Sequence, residues 1–127
     1  MTVTVNRVVP ADPGIVWDLL VDTTRWPEWG PSVRAVDLPE RHIRAGSKGR
    51  VRTAVGLWVP FEVTGFDDGR SWAWKVVGVP ATTHFVDPLD RGCRVTFGMP
   101  TAAAPYALVC RAALSRIDRL ARAASGR

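Results

Sequence analysis

Thr2-Val3-Thr4-Val5-Asn6-Arg7-Val8-Val9-Pro10-Ala11-Asp12-Pro13-Gly14-Ile15-Val16-Trp17-Asp18-Leu19-Leu20-Val21 changes period in its middle, and that change decides the fold. Thr2 to Val9 sets Val3 and Val5 against Thr2, Thr4 and Asn6, the two-residue period of a strand with one buried face. Pro10 to Pro13 stops the strand. Asp12 followed by Pro13 is a helix start: the carboxylate caps free amides, and proline sits in the first turn, where its missing N–H costs nothing. A helix over Pro13 to Val21 then carries Ile15, Val16, Leu19 and Leu20 on its apolar face, with Asp18 and Asp22 on the wet one. Asp22-Thr23-Thr24 opens a second short helix or turn ending around Trp26-Pro27-Glu28-Trp29-Gly30-Pro31.

From Ser32 the period returns to two, broken by turn residues every eight to twelve positions or so, the spacing of an antiparallel meander. Strands are expected at Val33 to Leu38, Lys48 to Val55, Trp58 to Asp67, Ser71 to Val77, Ala81 to Asp87 and Cys93 to Met99. Gly46, Gly56, Asp67-Asp68-Gly69, Gly78 and Pro88 to Gly92 punctuate them. Beyond Pro100, Tyr106, Val109, Cys110, Ala113, Leu114, Ile117, Leu120, Ala121 and Ala124 recur at three and four spacings, which predicts a long amphipathic helix from Pro105 to about Ala124. Seven antiparallel strands cannot leave an apolar face in water, and only that helix is long enough to cover it. The expected class is α+β: a curved seven-stranded antiparallel sheet wrapped around a long C-terminal helix, with two short helices after the first strand, as one domain over residues 1–127.

Val8 to Trp17, with Asp22, Trp26-Pro27 and Trp29 downstream, resembles the opening of the START-like superfamily, also called SRPBCC or polyketide cyclase/dehydrase-like. Trp72-Ala73-Trp74, the His84-Phe85 strand and Gly92-Cys93-Arg94-Val95-Thr96 are similar to its later parts. The resemblance spans the chain and implies a helix-grip fold with a cavity between sheet and long helix for a hydrophobic or amphipathic small molecule: a lipid, a sterol or a polyketide-like aromatic. It implies no single activity, because members include carriers, aromatase/cyclases and partner-binding proteins.

Composition narrows the alternatives. The 127 residues are 46% hydrophobic and 23% charged, the profile of a soluble globular domain rather than a disordered chain. Cys93 and Cys110 are the two cysteines, and with two histidines they form no zinc spacing, so neither metal nor cofactor is expected. The start lacks the pattern of a signal peptide and no apolar run reaches membrane-spanning length, which predicts a cytoplasmic protein with reduced thiols, as monomer or homodimer. The net charge of +5 is concentrated at the end of the chain, where Arg111, Arg116, Arg119, Arg122 and Arg127 face one acid, Asp118. A macromolecular binder acting through this helix is one alternative, but no aromatics interleave with its arginines to stack on bases, so nucleic acid is not the expected partner.

Six tryptophans form a large aromatic inventory. The cavity lining is expected from Phe61, Trp72, Trp74, His84, Phe85, Phe97, Tyr106 and Val109, and Trp17 and Trp26 are read as core. With Pro88 to Arg91 as a four-residue hairpin loop, Asp87 pairs with Gly92, His84 with Val95 and Thr82 with Phe97, and His84 points inward. A one-residue bulge would turn it to solvent. An inward imidazole can move a proton or bind a ligand carbonyl, and Tyr106, the sole tyrosine, opens the long helix on its sheet-facing side. His84 and Tyr106 are therefore the weak candidates for an alternative enzymatic role of the cyclase, aromatase or dehydratase kind. Hydrolase and NTPase readings fail: there is no Ser-His-Asp or Cys-His signature, and Gly46-Ser47-Lys48-Gly49 is not a phosphate loop. Glu62, between Phe61 and Val63, is expected to face water.

Overall fold

The computed structural model describes residues 2–125. Strand β1 (Thr2–Val9) leads to helix α1 (Pro13–Val21), a 3-10 turn (Thr23–Arg25) and the short helix α2 (Trp26–Trp29). Six strands follow: β2 (Val33–Asp37), β3 (Lys48–Thr53), β4 (Trp58–Asp67), β5 (Ser71–Val76), β6 (Val79–Pro88) and β7 (Cys93–Pro100). A 3-10 segment (Thr101–Tyr106) then feeds helix α3 (Ala107–Ser125). The strands form one antiparallel sheet in the order β1-β7-β6-β5-β4-β3-β2. The expected α+β helix-grip class holds. Bulges between Val33 and Ala35, Val63 and Gly65, and Ala73 and Lys75 break the ladder and bend the strands.

Local chemistry makes these elements as the sequence reading has it, with shifted ends. Asp12 Oδ1 accepts the Gly14 N–H at 2.7 Å, and Pro13 stands at the first helical position. The other end of α1 is closed by the following segment. Four carbonyls at a helix end lack intrahelical partners. Here Asp22 N–H donates to Asp18 O, Ile43 N–H to Val21 O, and the indoles of Trp29 and Trp26 to Leu19 O (2.7 Å) and Leu20 O (2.8 Å). Trp26 and Trp29 thus cap a helix as well as fill the core.

Three local expectations are corrected. The β6–β7 loop is Leu89 to Gly92, not Pro88 to Arg91, because Leu89 N–H bonds Gly92 O and Gly92 takes φ +95°. Pro88 therefore pairs with Cys93, and His84 with Phe97 rather than Val95. The slip is two residues, which preserves the face, and His84 remains inside. Residues Val79 and Pro80 join β6, while Val55 and Val77 fall in turns. Tyr106 ends the 3-10 segment and does not open α3, which begins at Ala107: the Ala107 N–H still bonds Ala104 O, the tighter three-residue spacing.

Helix α3 turns Cys110, Ala113, Leu114, Ile117 and Ala121 inward and packs on β1, β7, α1 and α2. Asp118 shares that buried face. Arg7 Nε of β1 reaches it at 2.7 Å and Arg122 Nε at 2.6 Å. Burial pushes the Asp118 carboxyl up, but hydrogen bonds from Arg122 and Arg7 outweigh that and hold it below the usual range. Arg122 is thus committed to a clasp between helix and sheet, Arg111 and Arg119 are exposed, and Arg127 lies outside the described residues.

The β5–β6 turn holds a strained residue. Val77 and Gly78 both have positive φ, +53° and +72°, as a two-residue hairpin loop demands. A β-branched side chain pays about 1–2 kcal/mol for that conformation, and asparagine tolerates it. Val77→Asn should raise the melting temperature by about 3 °C or more. An unchanged or lower value would show that Val77 carries no strain.

Candidate functional site

Because α3 lies over β1 and β7, the inner face of β3 to β6 near its hairpin tips is left without a helix on it. Two adjoining spaces result. The inner one is a cleft of about 40 Å³ walled by Trp26, Trp29, Trp72, Trp74, Thr82, His84 and Phe97 from below and by Tyr106, Val109, Cys110 and Ala113 from above. The outer one is a chamber of about 460 Å³ lined by Val51, Thr53, Val59, Val76, Val79, Pro80, Ala81, Met99 and Ala103. Ser32, Val33, Trp74, Thr82 and Tyr106 belong to both. Among the described residues, no Asp, Glu, Lys or Arg lines either. Of the chamber's lining residues, Val55 and Val79 are more than half exposed.

Aromatic rings build the floor. Trp26 lies parallel to Trp72 with centroids 5.4 Å apart, and Trp74 stands edge-on to both at 5.5 and 5.6 Å. His84 stacks on Trp72 at 3.9 Å and meets Phe97 edge-on at 4.7 Å. Such offset and tilted pairs add to the area they bury and make the floor stiff.

His84 is 2% exposed. Burial pulls its imidazole down to about 3, only partly opposed by the Trp72 carbonyl, so at neutral pH it carries no charge. Nδ1 lies 3.3 Å from Trp72 O, and Nε2 lies 2.9 Å from Thr82 Oγ1, which also accepts the Trp74 indole N–H at 2.9 Å. At the rim, the Tyr106 hydroxyl hydrogen-bonds Ser32 Oγ, tying the segment before α3 to the α2–β2 loop. Burial raises the Tyr106 phenol above its usual value, partly opposed by Ser32.

Of the sequence-predicted lining, Trp72, Trp74, His84, Phe97, Tyr106 and Val109 meet at this cleft. Two do not. Phe85 is 40% exposed on the outer face, because neighbours along a strand point to opposite sides and His84 occupies the inner one. Phe61 is buried against Trp26 and Trp74 and lines neither space. Sequence reasoning missed Thr82, Ser32 and the wall formed by Trp26 and Trp29. The two-residue step from Thr82 to His84 was the available signal for the first.

On another surface, Asp18, Asp22 and His42 bring ligand-type atoms within 4.8 Å of one another. Arg41 already holds the Asp22 carboxylate at 2.9 Å and Thr24 bonds it too; these contacts outweigh burial, which would raise its pKa, and bring it to about 2. The cluster is an ion-paired corner joining α1 to the β2–β3 loop.

The sheet, the helix laid over part of it and the apolar space between define a helix-grip fold. The chain belongs to the family described as polyketide cyclase/dehydrase and lipid transport, whose profile matches residues 1–124. No curated protein matches the sequence. Protein NE0264 from Nitrosomonas europaea has a similar structure (TM-score 0.75, 14% identity, 100% of this chain and 97% of that one). So does protein MLL2253 from Mesorhizobium loti (0.77, 13%, 94% and 96%). The Aha1 dimer from Colwellia psychrerythraea is also similar (0.70, 15%, 95% and 96%). At such identities the likeness concerns the fold. No helix among the described residues is long and apolar enough to cross a membrane.

Proposed function

We propose that the protein binds a hydrophobic or amphipathic small molecule in the space between the sheet and α3. The observation that carries this reading is the 460 Å³ apolar chamber adjoining a tryptophan-floored cleft. Chambers of this size and lining suit small ligands, with few polar groups fixing orientation. A holder is favoured over a proton-transfer catalyst: both imidazole nitrogens of His84 are engaged within the protein, and no carboxylate among the described residues lines the site.

Filling the chamber tests the proposal. Val59 lines it, so Val59→Trp should displace ligand while the fold persists. Native mass spectrometry of gently extracted wild-type protein is expected to show a bound small molecule. Quenching of intrinsic tryptophan fluorescence by apolar ligands should weaken at least tenfold in the variant. Empty protein with no response across lipids, sterols and polyketide-like aromatics would overturn the reading.

A further inference from the structure

We infer that the ligand's head group is a neutral hydrogen-bond donor, an alcohol or phenol, seated on Thr82 Oγ1. This deepens the binding reading above and rests on it. The argument is a count of protons. Trp72 O can only accept, so His84 Nδ1, 3.3 Å away, must carry the ring's proton. In a neutral imidazole Nε2 is then a bare lone pair, and the Thr82 hydroxyl at 2.9 Å must donate to it. Trp74 Nε1–H can only donate, and it takes one Thr82 lone pair at 2.9 Å. Thr82 has spent its one proton and one of its two lone pairs. What it offers a ligand is a single acceptor, and it stands where cleft and chamber meet.

Other head groups fit worse. A carboxylate or phosphate would leave water for walls without a cation, and an ammonium for walls without an anion. An ether or ketone would set lone pair against lone pair at Thr82. A hydroxyl donates to Thr82 and keeps lone pairs to offer the buried indole N–H of Trp72 in the same cleft, which finds no acceptor among the described residues. The 40 Å³ cleft admits such a head group and little more, so the apolar body of the ligand occupies the outer chamber.

The test uses three probes on one skeleton at pH 7: 2-naphthol, 2-methoxynaphthalene and 2-naphthoate. Each is titrated into nitrogen-15-labelled protein while the indole N–H signals of Trp72 and Trp74 are followed. 2-Naphthol is expected to bind at least tenfold more tightly than either relative and to shift the Trp74 signal. His84→Phe releases the Thr82 proton, so the preference for 2-naphthol over 2-methoxynaphthalene should shrink to within about threefold. If that variant does not fold, the wild-type ranking decides alone. Binding of the ether or the carboxylate as tight as that of 2-naphthol would overturn the head-group inference and leave the cavity reading standing. No binding by any probe up to its solubility would overturn both.

Discussion

Lowering the pH from 7 to 4 is expected to cost the fold on the order of 3 kcal/mol, and His84→Phe to remove that loss. In the unfolded chain the imidazole titrates near 6.5, whereas in the fold burial holds it down to about 3. Above pH 6.5 both states are neutral and the group contributes nothing. Between 6.5 and 3 the unfolded chain takes up a proton that the native state refuses, so stability falls as pH falls. Below about 3 the loss saturates. Asp22, titrating at 3.8 in the unfolded chain and about 2 in the fold, acts mainly below pH 4 and overlaps only the acid end of this window. Asp118 is likewise lowered from 3.8, so its contribution too is lost in strong acid. His84→Phe gives up the bonds to Thr82 and Trp72 and should begin about 1–2 kcal/mol less stable at pH 7. Urea midpoints at pH 7, 5 and 4 measure both slopes. Equal slopes in the two proteins would show that His84 is reachable by solvent protons in the fold.

Gly92→Ala should destabilise by about 3 kcal/mol or more, enough to unfold a large fraction of a marginal domain at growth temperatures. A Cβ there would stand 2.2 Å from Val9 O, 2.9 Å from Pro10 Cα and 3.1 Å from Ala11 N. All three are backbone atoms at the point where β1 hands over to α1, so no side chain can swing aside. The φ of +95° adds strain of its own. Gly69 is the internal control. Its φ is +81°, yet nothing lies within 4 Å of its added Cβ, so Gly69→Ala should cost only about 1–2 kcal/mol. Thermal or urea unfolding compares the two directly, and equal losses would mean that the close approach of the β6–β7 turn to β1 does not exist.

The His84 prediction stands on a placement that the residues already indicated by a partly mistaken route. The hairpin loop was read one residue early, which moved the pairing by two. A shift of two leaves every side chain on its own face, so His84 was read inward despite the error, and the same alternation should have excluded Phe85. The long helix was legible from its spacing of three and four, but its start was not. A proline at 105 suits a first helical turn and a 3-10 segment equally well, and only the packing of Tyr106 against Ser32 and the cleft shows which it serves.

What the sequence determined by itself is the order of elements, the wet and dry faces of each, and the family. The first two follow from local period, caps and turn residues, which act over a few positions of chain, and the family from the residues whose resemblance carries it. The tertiary structure alone decided the rest. Arg7 meets Asp118 across 111 positions, making an acid on the dry face of α3 a clasp rather than a flaw. Trp26 and Trp29 turn back to cap the helix before them. The proton of Thr82 is directed by a histidine on its own strand and a tryptophan on the next. Each depends on register and on how far one helix reaches across seven strands, quantities set by the packing of the whole chain and carried by no local pattern.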